Sequence, residues 1–129
     1  MPGFVKNVES LDVFQKAYKL SLHIHTLSLG FPSIEQNVLA DQMRRASRSV
    51  CANLAEGFGK QRAKSKEFRR FVMMAIGSSD EMRVWLRYAI DLGYISQAAG
   101  QKLRDDYHAV SKMLQALYSA WEKSPITDH

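Results

Sequence analysis

Five hydrogen-bonding side chains fall on one line of the sequence: Gln42, Arg45, Ser49, Asn53 and Glu56, separated by three, four, four and three residues. On an α-helix that spacing makes each the surface neighbour of the next. Two chemistries follow. An amide, a hydroxyl and a carboxylate side by side could line a catalytic or ligand pocket. The same groups could instead form a half-buried network that fixes the register of a neighbouring helix, with Ser78 and Ser79 as partners. No strong nucleophile–base pair accompanies the line, so it reads as structural.

Other reactive residues carry weaker signals. Cys51 lies between Val50 and Ala52 with no adjacent histidine and reads as packing. His23 and His25 are two apart and diverge on a helix, which predicts one interior and one surface imidazole. A di-metal carboxylate bundle needs Glu-x-x-His pairs; Asp105-x-x-His108 is the near miss, and it falls on an outward face. Gly59-Lys60 is not a P-loop, because Leu54 stands at the first glycine position and Gln61 follows the lysine. The expectation is no catalytic residue, no metal and no cofactor.

Charge is the second feature. The stretch RRASRSVCANLAEGFGKQRAKSKEFRR, Arg44 to Arg70, holds nine Lys/Arg and two acids, a net of +7; the rest holds nine and eleven, a net of −2. Arg44 and Arg48 are expected to point outward one turn apart, and Lys60, Arg62 and Lys64 to lie in a glycine-bearing loop beside Lys66. These six are the candidate phosphate contacts of a salt-sensitive, sequence-indifferent nucleic-acid surface. The competing reading is a solvated basic face kept for solubility. No base-reading motif is visible.

The elements that must position these residues are helices. The 129 residues are 46% hydrophobic and 24% charged, with net charge +5 and pI about 9.5. That suits one globular domain spanning residues 1–129. Prolines occur at positions 2, 32 and 125, leaving room for long helices between them. Stop and cap signals predict helices over 11–29, 34–56, 66–92 and 97–122. Gly30 and Pro32 close the first. The capping box Ser33-Ile-Glu-Gln36 opens the second, and Gly57 in the left-handed position closes it. Ser65 caps the third, Gly93 stops it, and Ser96 caps the fourth.

Each helix carries one apolar stripe at spacings of three and four. The stripes are Val13, Ala17, Leu20, Ile24 and Leu27; Leu39, Met43, Ala46, Val50 and Leu54; Phe68, Val72, Ala75, Met82, Leu86 and Ala89; and Leu103, Tyr107, Val110, Leu114, Leu117 and Trp121. Four such helices with short connections predict an all-α, up-down-up-down antiparallel four-helix bundle.

Two helices carry a second apolar side. Leu11, Tyr18, Leu22 and Leu29 lie about 120–180° from the first stripe, and Met74, Gly77, Val84, Trp85 and Tyr88 do the same on the third helix. Contiguous apolar surface of this kind marks an interface. The expectation is a closed homo-oligomer. No run approaches the ~20 apolar residues of a membrane helix. The N-terminus lacks a signal-peptide core, and a lone cysteine suits a reducing compartment, so a cytoplasmic location is expected.

The segments FQKAYKL, FPSIEQNVLADQMRRASRSVCANLAEGFGK, KEFRRFVMMAIGSSDEMRVWL and DLGYI together resemble the bacterial four-helix bundle family of 23S ribosomal RNA intervening-sequence proteins, over roughly Leu11 to Leu117. The specific pieces are the series from Arg44 to Gly57 and Ala75 to Ser78; Leu54 departs from the family's usual Asn-Ile-Ala-Glu-Gly. The resemblance implies a protein encoded within ribosomal RNA genes or as a free-standing gene. A related branch is the accessory protein of diversity-generating retroelements, a basic homopentamer that engages a reverse transcriptase and nucleic acid. The resemblance therefore implies a pentamer with RNA or DNA as partner. The reading is a non-enzymatic nucleic-acid-binding accessory module. Its alternative is a protein-interaction scaffold docking an acidic or reverse-transcriptase-like partner.

Overall fold

Four helices are present in the computed structural model, which describes residues 7–59 and 65–122. They are α1 (Asp12–Leu29), α2 (Leu39–Phe58), α3 (Ser65–Asp91) and α4 (Gln97–Glu122), with single 3-10 turns at Val8–Ser10 and Ser33–Glu35. α1 and α3 each pack against both α2 and α4 and do not touch one another, so they occupy opposite corners of the bundle. No strand occurs among the described residues. The all-α four-helix architecture is as the periodicity requires.

The apolar stripes build the core. Every stripe residue is buried except Leu27 and Leu117, which are half-buried against the same cluster. Aromatic packing closes the end where α2 hands over to α3: Phe58 meets Phe68 edge-on at 5.2 Å, and Trp121 of α4 packs on Phe68 at 4.7 Å.

Two of the boundary signals, one stop and one cap, act as expected. Gly93 adopts φ +81°, and the amides of Gly93 and Tyr94 return to the carbonyls of Ile90 and Ala89, a Schellman ending. Ser96 Oγ accepts the Ala99 amide at 3.1 Å and opens α4.

Two others act differently. The Ser33 box does not open α2, which starts at Leu39 instead. Gln36 is occupied elsewhere: its amide donates to the carbonyls of Ser28 (2.8 Å) and Phe31 (3.0 Å) where α1 ends. The Ser28 carbonyl already takes the Phe31 amide at 3.1 Å, and Gln36 adds a second bond there rather than reaching back to Ser33. Gly57 is likewise inside α2, not past its end. It is buried, and a Cβ there would stand 3.0 Å from Phe71 Cβ, so this glycine brings α2 and α3 together.

A buried polar clip joins α3 to α4. Ser79 Oγ donates to the Tyr107 carbonyl at 2.9 Å. Ser111 Oγ shares its proton between Ser79 Oγ (2.8 Å) and Asp80 Oδ1 (2.7 Å). Among the described residues no helix is long and apolar enough to cross a membrane.

Candidate nucleic-acid interface

The basic stretch is continuous in sequence and divided in space. From Arg44 to Phe58 α2 rises about 21 Å. Arg44 therefore sits toward the end where α1 runs into α2 and Arg48 at mid-helix, while Lys66, Arg69 and Arg70 gather at the opposite end.

Arg44 does not point outward. It is half-buried, and its guanidinium donates to Ser28 Oγ (2.8 Å), the Gln36 carbonyl (2.8 Å) and Gln36 Oε1 (3.3 Å). A cation beside the last turn of α1 also complements the dipole there. Its role is to tie α2 to the end of α1. Arg48 is exposed, with Nη2 3.1 Å from His25 Nδ1. His23 and His25 are both exposed, so the expected interior imidazole does not exist: each lies off the buried stripe of α1.

Lys66 is exposed as expected, at the start of α3. Arg70 lies one turn further along the same face and is held from three sides. Glu67 Oε1 accepts from its Nε (2.9 Å) and Nη2 (2.6 Å). The Phe71 ring lies 4.7 Å beneath its guanidinium carbon, and Nη1 stands 3.9 Å from Met74 Sδ. Arg69 reaches toward α4, its guanidinium carbon 5.9 Å from the Tyr118 ring centroid. Lys60, Arg62 and Lys64 lie outside the described residues.

These side chains border a hollow of about 650 Å³ between the first turns of α3 and the last turns of α4. Lys66, Glu67, Arg69 and Arg70 form its charged wall, and Met73, Met74 and Tyr118 its apolar floor. A second hollow of about 210 Å³ continues along the helices, lined by Met73, Ile76, Gln115, Tyr118 and Ser119. Arg70 and Tyr118 were not singled out from sequence. Arg70 has a readable signal, one turn from Lys66; Tyr118 has none until α4 is laid beside α3.

The polar line on α2 is half assembled. Asn53 Nδ2 donates to the Ser49 carbonyl (2.9 Å) and Ser49 Oγ (3.0 Å), and Ser78 Oγ donates to Ser49 Oγ (2.9 Å) across to α3. Ser78 is thus a partner as expected, whereas Ser79 turns to α4. Gln42, Arg45 and Glu56 are exposed; Arg45 pairs with Asp41 at 2.8 Å. An exposed pair of that kind contributes little. The line rotates out of the α2–α3 seam at both ends.

The second apolar sides are real surface. Tyr18, Leu22 and Leu29 on α1, and Met74, Val84 and Tyr88 on α3, are each close to half exposed. Gly77 faces open space. Leu11 and Trp85 differ: both are half-buried against the core, and Trp85 Nε1 donates to Glu81 at 2.8 Å.

No cluster of His, Cys, Asp and Glu able to hold a metal occurs among the described residues. Burial pushes the Cys51 thiol up to about 11, away from the thiolate a nucleophile needs. His108 is exposed, and Asp105 accepts from Gln101 at 2.9 Å.

Residues 9–116 match the 23S rRNA-intervening sequence protein family. The chain belongs to that family. The family's span takes in α1, α2, α3 and most of α4, and stops just short of Tyr118 and Trp121. A solved protein of unknown function from the S23 ribosomal protein family of Bacteroides thetaiotaomicron is similar in fold, with a TM-score of 0.72. It is 23% identical, over 82% of this chain and 97% of its own. No curated protein matches the chain. Neither the family nor this neighbour indicates an enzymatic activity.

Proposed function

We propose that this family member is a non-enzymatic nucleic-acid-binding module that works as a homo-oligomer. The observation that carries the reading is the gathering of Lys66, Arg69 and Arg70 around one hollow at the α2–α3 end. Lys60, Arg62 and Lys64 immediately precede them in the chain and lie outside the described residues. Arg48 is a more distant contact, and Arg44 is set aside because its guanidinium is committed inside the fold. The start of α3 adds its own partial positive charge to the same end. Such a surface grips phosphates, releases counterions and weakens steeply with salt.

Self-association is supported by the two exposed apolar faces. They lie on α1 and α3, at opposite corners of the bundle. A contact of one copy's α1 face with the next copy's α3 face repeats head to tail, and gives a ring where the rotation between copies closes. The family resemblance suggests five copies. A ring would set several basic ends side by side and multiply their attraction for a polyanion.

The test is binding of fluorescent RNA and DNA to the purified protein across a salt series, with mass by light scattering. The expected result is an oligomer whose affinity falls steeply with salt and falls further in Lys60→Ala/Arg62→Ala/Lys64→Ala. An oligomer that binds neither nucleic acid at low salt would overturn the reading. The exposed Tyr88 and Val84 favour a second reading, a scaffold for an acidic or reverse-transcriptase-like protein. Partner capture that survives high salt and is lost in Tyr88→Ala would select it.

A further inference from the structure

Phosphate attraction alone would leave the apolar half of the α3–α4 hollow without a purpose. The charged wall occupies one side, and Met73 and Tyr118 form a floor shared by both hollows. Met73 is 49% exposed, on a helix that buries Phe68, Val72, Ala75 and Ile76 against the core. Tyr118 is half-buried with Arg69 stacked toward its ring. A duplex brings phosphates to such a site but keeps its bases inside and covers neither side chain. An unpaired nucleotide brings both a phosphate and a flat apolar face.

From this geometry we infer that the α3–α4 groove takes a single strand, stacking an unpaired base on Tyr118 and Met73 while Lys66 and Arg70 hold the adjoining phosphates. The inference rests on the nucleic-acid reading above and narrows it to unpaired RNA or DNA. Several features suit the role. Arg70 is already oriented by Glu67 and Phe71, and its Nη1 reaches Met74, which also lines the hollow. Arg69 on Tyr118 extends any stack by a cation–π contact. The groove continues past Tyr118 to Ile76 and Gln115, giving a strand a track along the helices. Stacking on aromatic platforms inside a basic groove is sequence-tolerant, because every base has a π-face. An acidic peptide is the competing occupant, since methionine beds also receive peptides. The aromatic–guanidinium stack beside the phosphate-binding wall favours the nucleotide.

The experiment titrates the full chain with a short oligoadenylate and with an RNA duplex of equal charge, at about 0.1 M salt. Tyr118→Leu is expected to weaken the single strand about tenfold, and the duplex by less than about twofold. Met73→Gln, at an exposed position, is expected to weaken the single strand about threefold with unchanged melting temperature. It carries the test should Tyr118→Leu fail to fold by circular dichroism. If both forms bind equally and neither variant separates them, the single-strand inference falls while the phosphate-binding reading stands. If polyglutamate displaces the strand at equal charge, the groove is a peptide site and the inference falls. If neither nucleic acid binds, the parent reading falls with it.

Discussion

At the end of the bundle where α1 runs into α2, Arg44 is drawn inward onto Ser28 and Gln36; at the end where α2 runs into α3, Lys66 and Arg70 stay at the surface beside a hollow. The difference follows from which acceptors each end offers. The last turn of α1 presents the Ser28 hydroxyl and the turn after it the Gln36 carbonyl, and the guanidinium of Arg44 takes both. The start of α3 presents amide donors, which repel cations and attract anions. Lys66 and Arg70 stay exposed there, beside a helix terminus whose own field favours anions. Neighbouring arginines in one sequence segment thus serve folding at one end and a surface at the other.

The largest effect is expected from breaking the inward arrangement. Arg44→Ala removes three donated bonds and strands the Gln36 carbonyl in a half-buried site, while the Ser28 hydroxyl keeps its bond to the His25 carbonyl. A loss of about 2–3 kcal/mol in urea unfolding is expected, in the range for hydrogen bonds to charged groups. Arg44→Lys should not restore it, because one ammonium cannot reproduce the planar fork. Wild-type stability in Arg44→Ala, with weakened nucleic-acid binding, would mean that the residue works at the surface after all.

The outward arrangement should respond the opposite way. Lys66→Ala/Arg70→Ala is expected to cost under about 1 kcal/mol of stability, since the Arg70–Glu67 pair is exposed. For a single strand the log–log salt slope should shrink by about 1.4, from two phosphate contacts at about 0.7 each. An unchanged slope would remove both residues from the contact surface.

Much of the bundle could be read before any coordinates, because its stripes repeat with the helical period and its core follows them. Gly93 and Ser96 were legible for a related reason: their chemistry acts within a few residues. The capping box at Ser33 failed because its glutamine was claimed by carbonyls eight and five residues earlier, a tertiary competition that local spacing does not show. The candidate site was half legible. Lys66 follows from charge, but Tyr118 joins it only through the α3–α4 packing, and Arg44 leaves it only through the end of α1.

The two exposed or buried glycines of α2 and α3 sharpen the same contrast. Gly57→Ala improves helix propensity by about 1 kcal/mol. Its new Cβ would stand 3.0 Å from Phe71 Cβ, an atom tied to the α3 backbone. The overpacking should win, for a net loss of about 1 kcal/mol. Gly77→Ala meets open space and should gain about 0.5–1 kcal/mol in the monomer. If the α3 face is covered by a second copy, the same change should lower the mass seen by light scattering at low concentration.

Cys51 reports on both ends without belonging to either. It is half-buried on α2, packed against the core and near enough to Tyr107 of α4 for its charge to be felt there. Burial raises its pKa from the ordinary 9.0 to about 11, so near pH 8 it holds roughly a hundredfold less thiolate than an exposed thiol. Alkylation by iodoacetamide should therefore be slow in the native protein. It should quicken in Arg44→Ala, which loosens α2 from α1, and stay unchanged in Lys66→Ala/Arg70→Ala. The sign with pH follows from the same shift. The folded state holds the thiol proton longer than the unfolded chain, so stability is full below pH 9 and declines as pH rises toward about 11. Tyr107, also raised by burial, acts in the same direction at higher pH. Cys51→Ala should flatten the decline between pH 9 and 11. Fast alkylation of the wild-type thiol at neutral pH would instead show that the α1–α2 packing opens without help from any mutation.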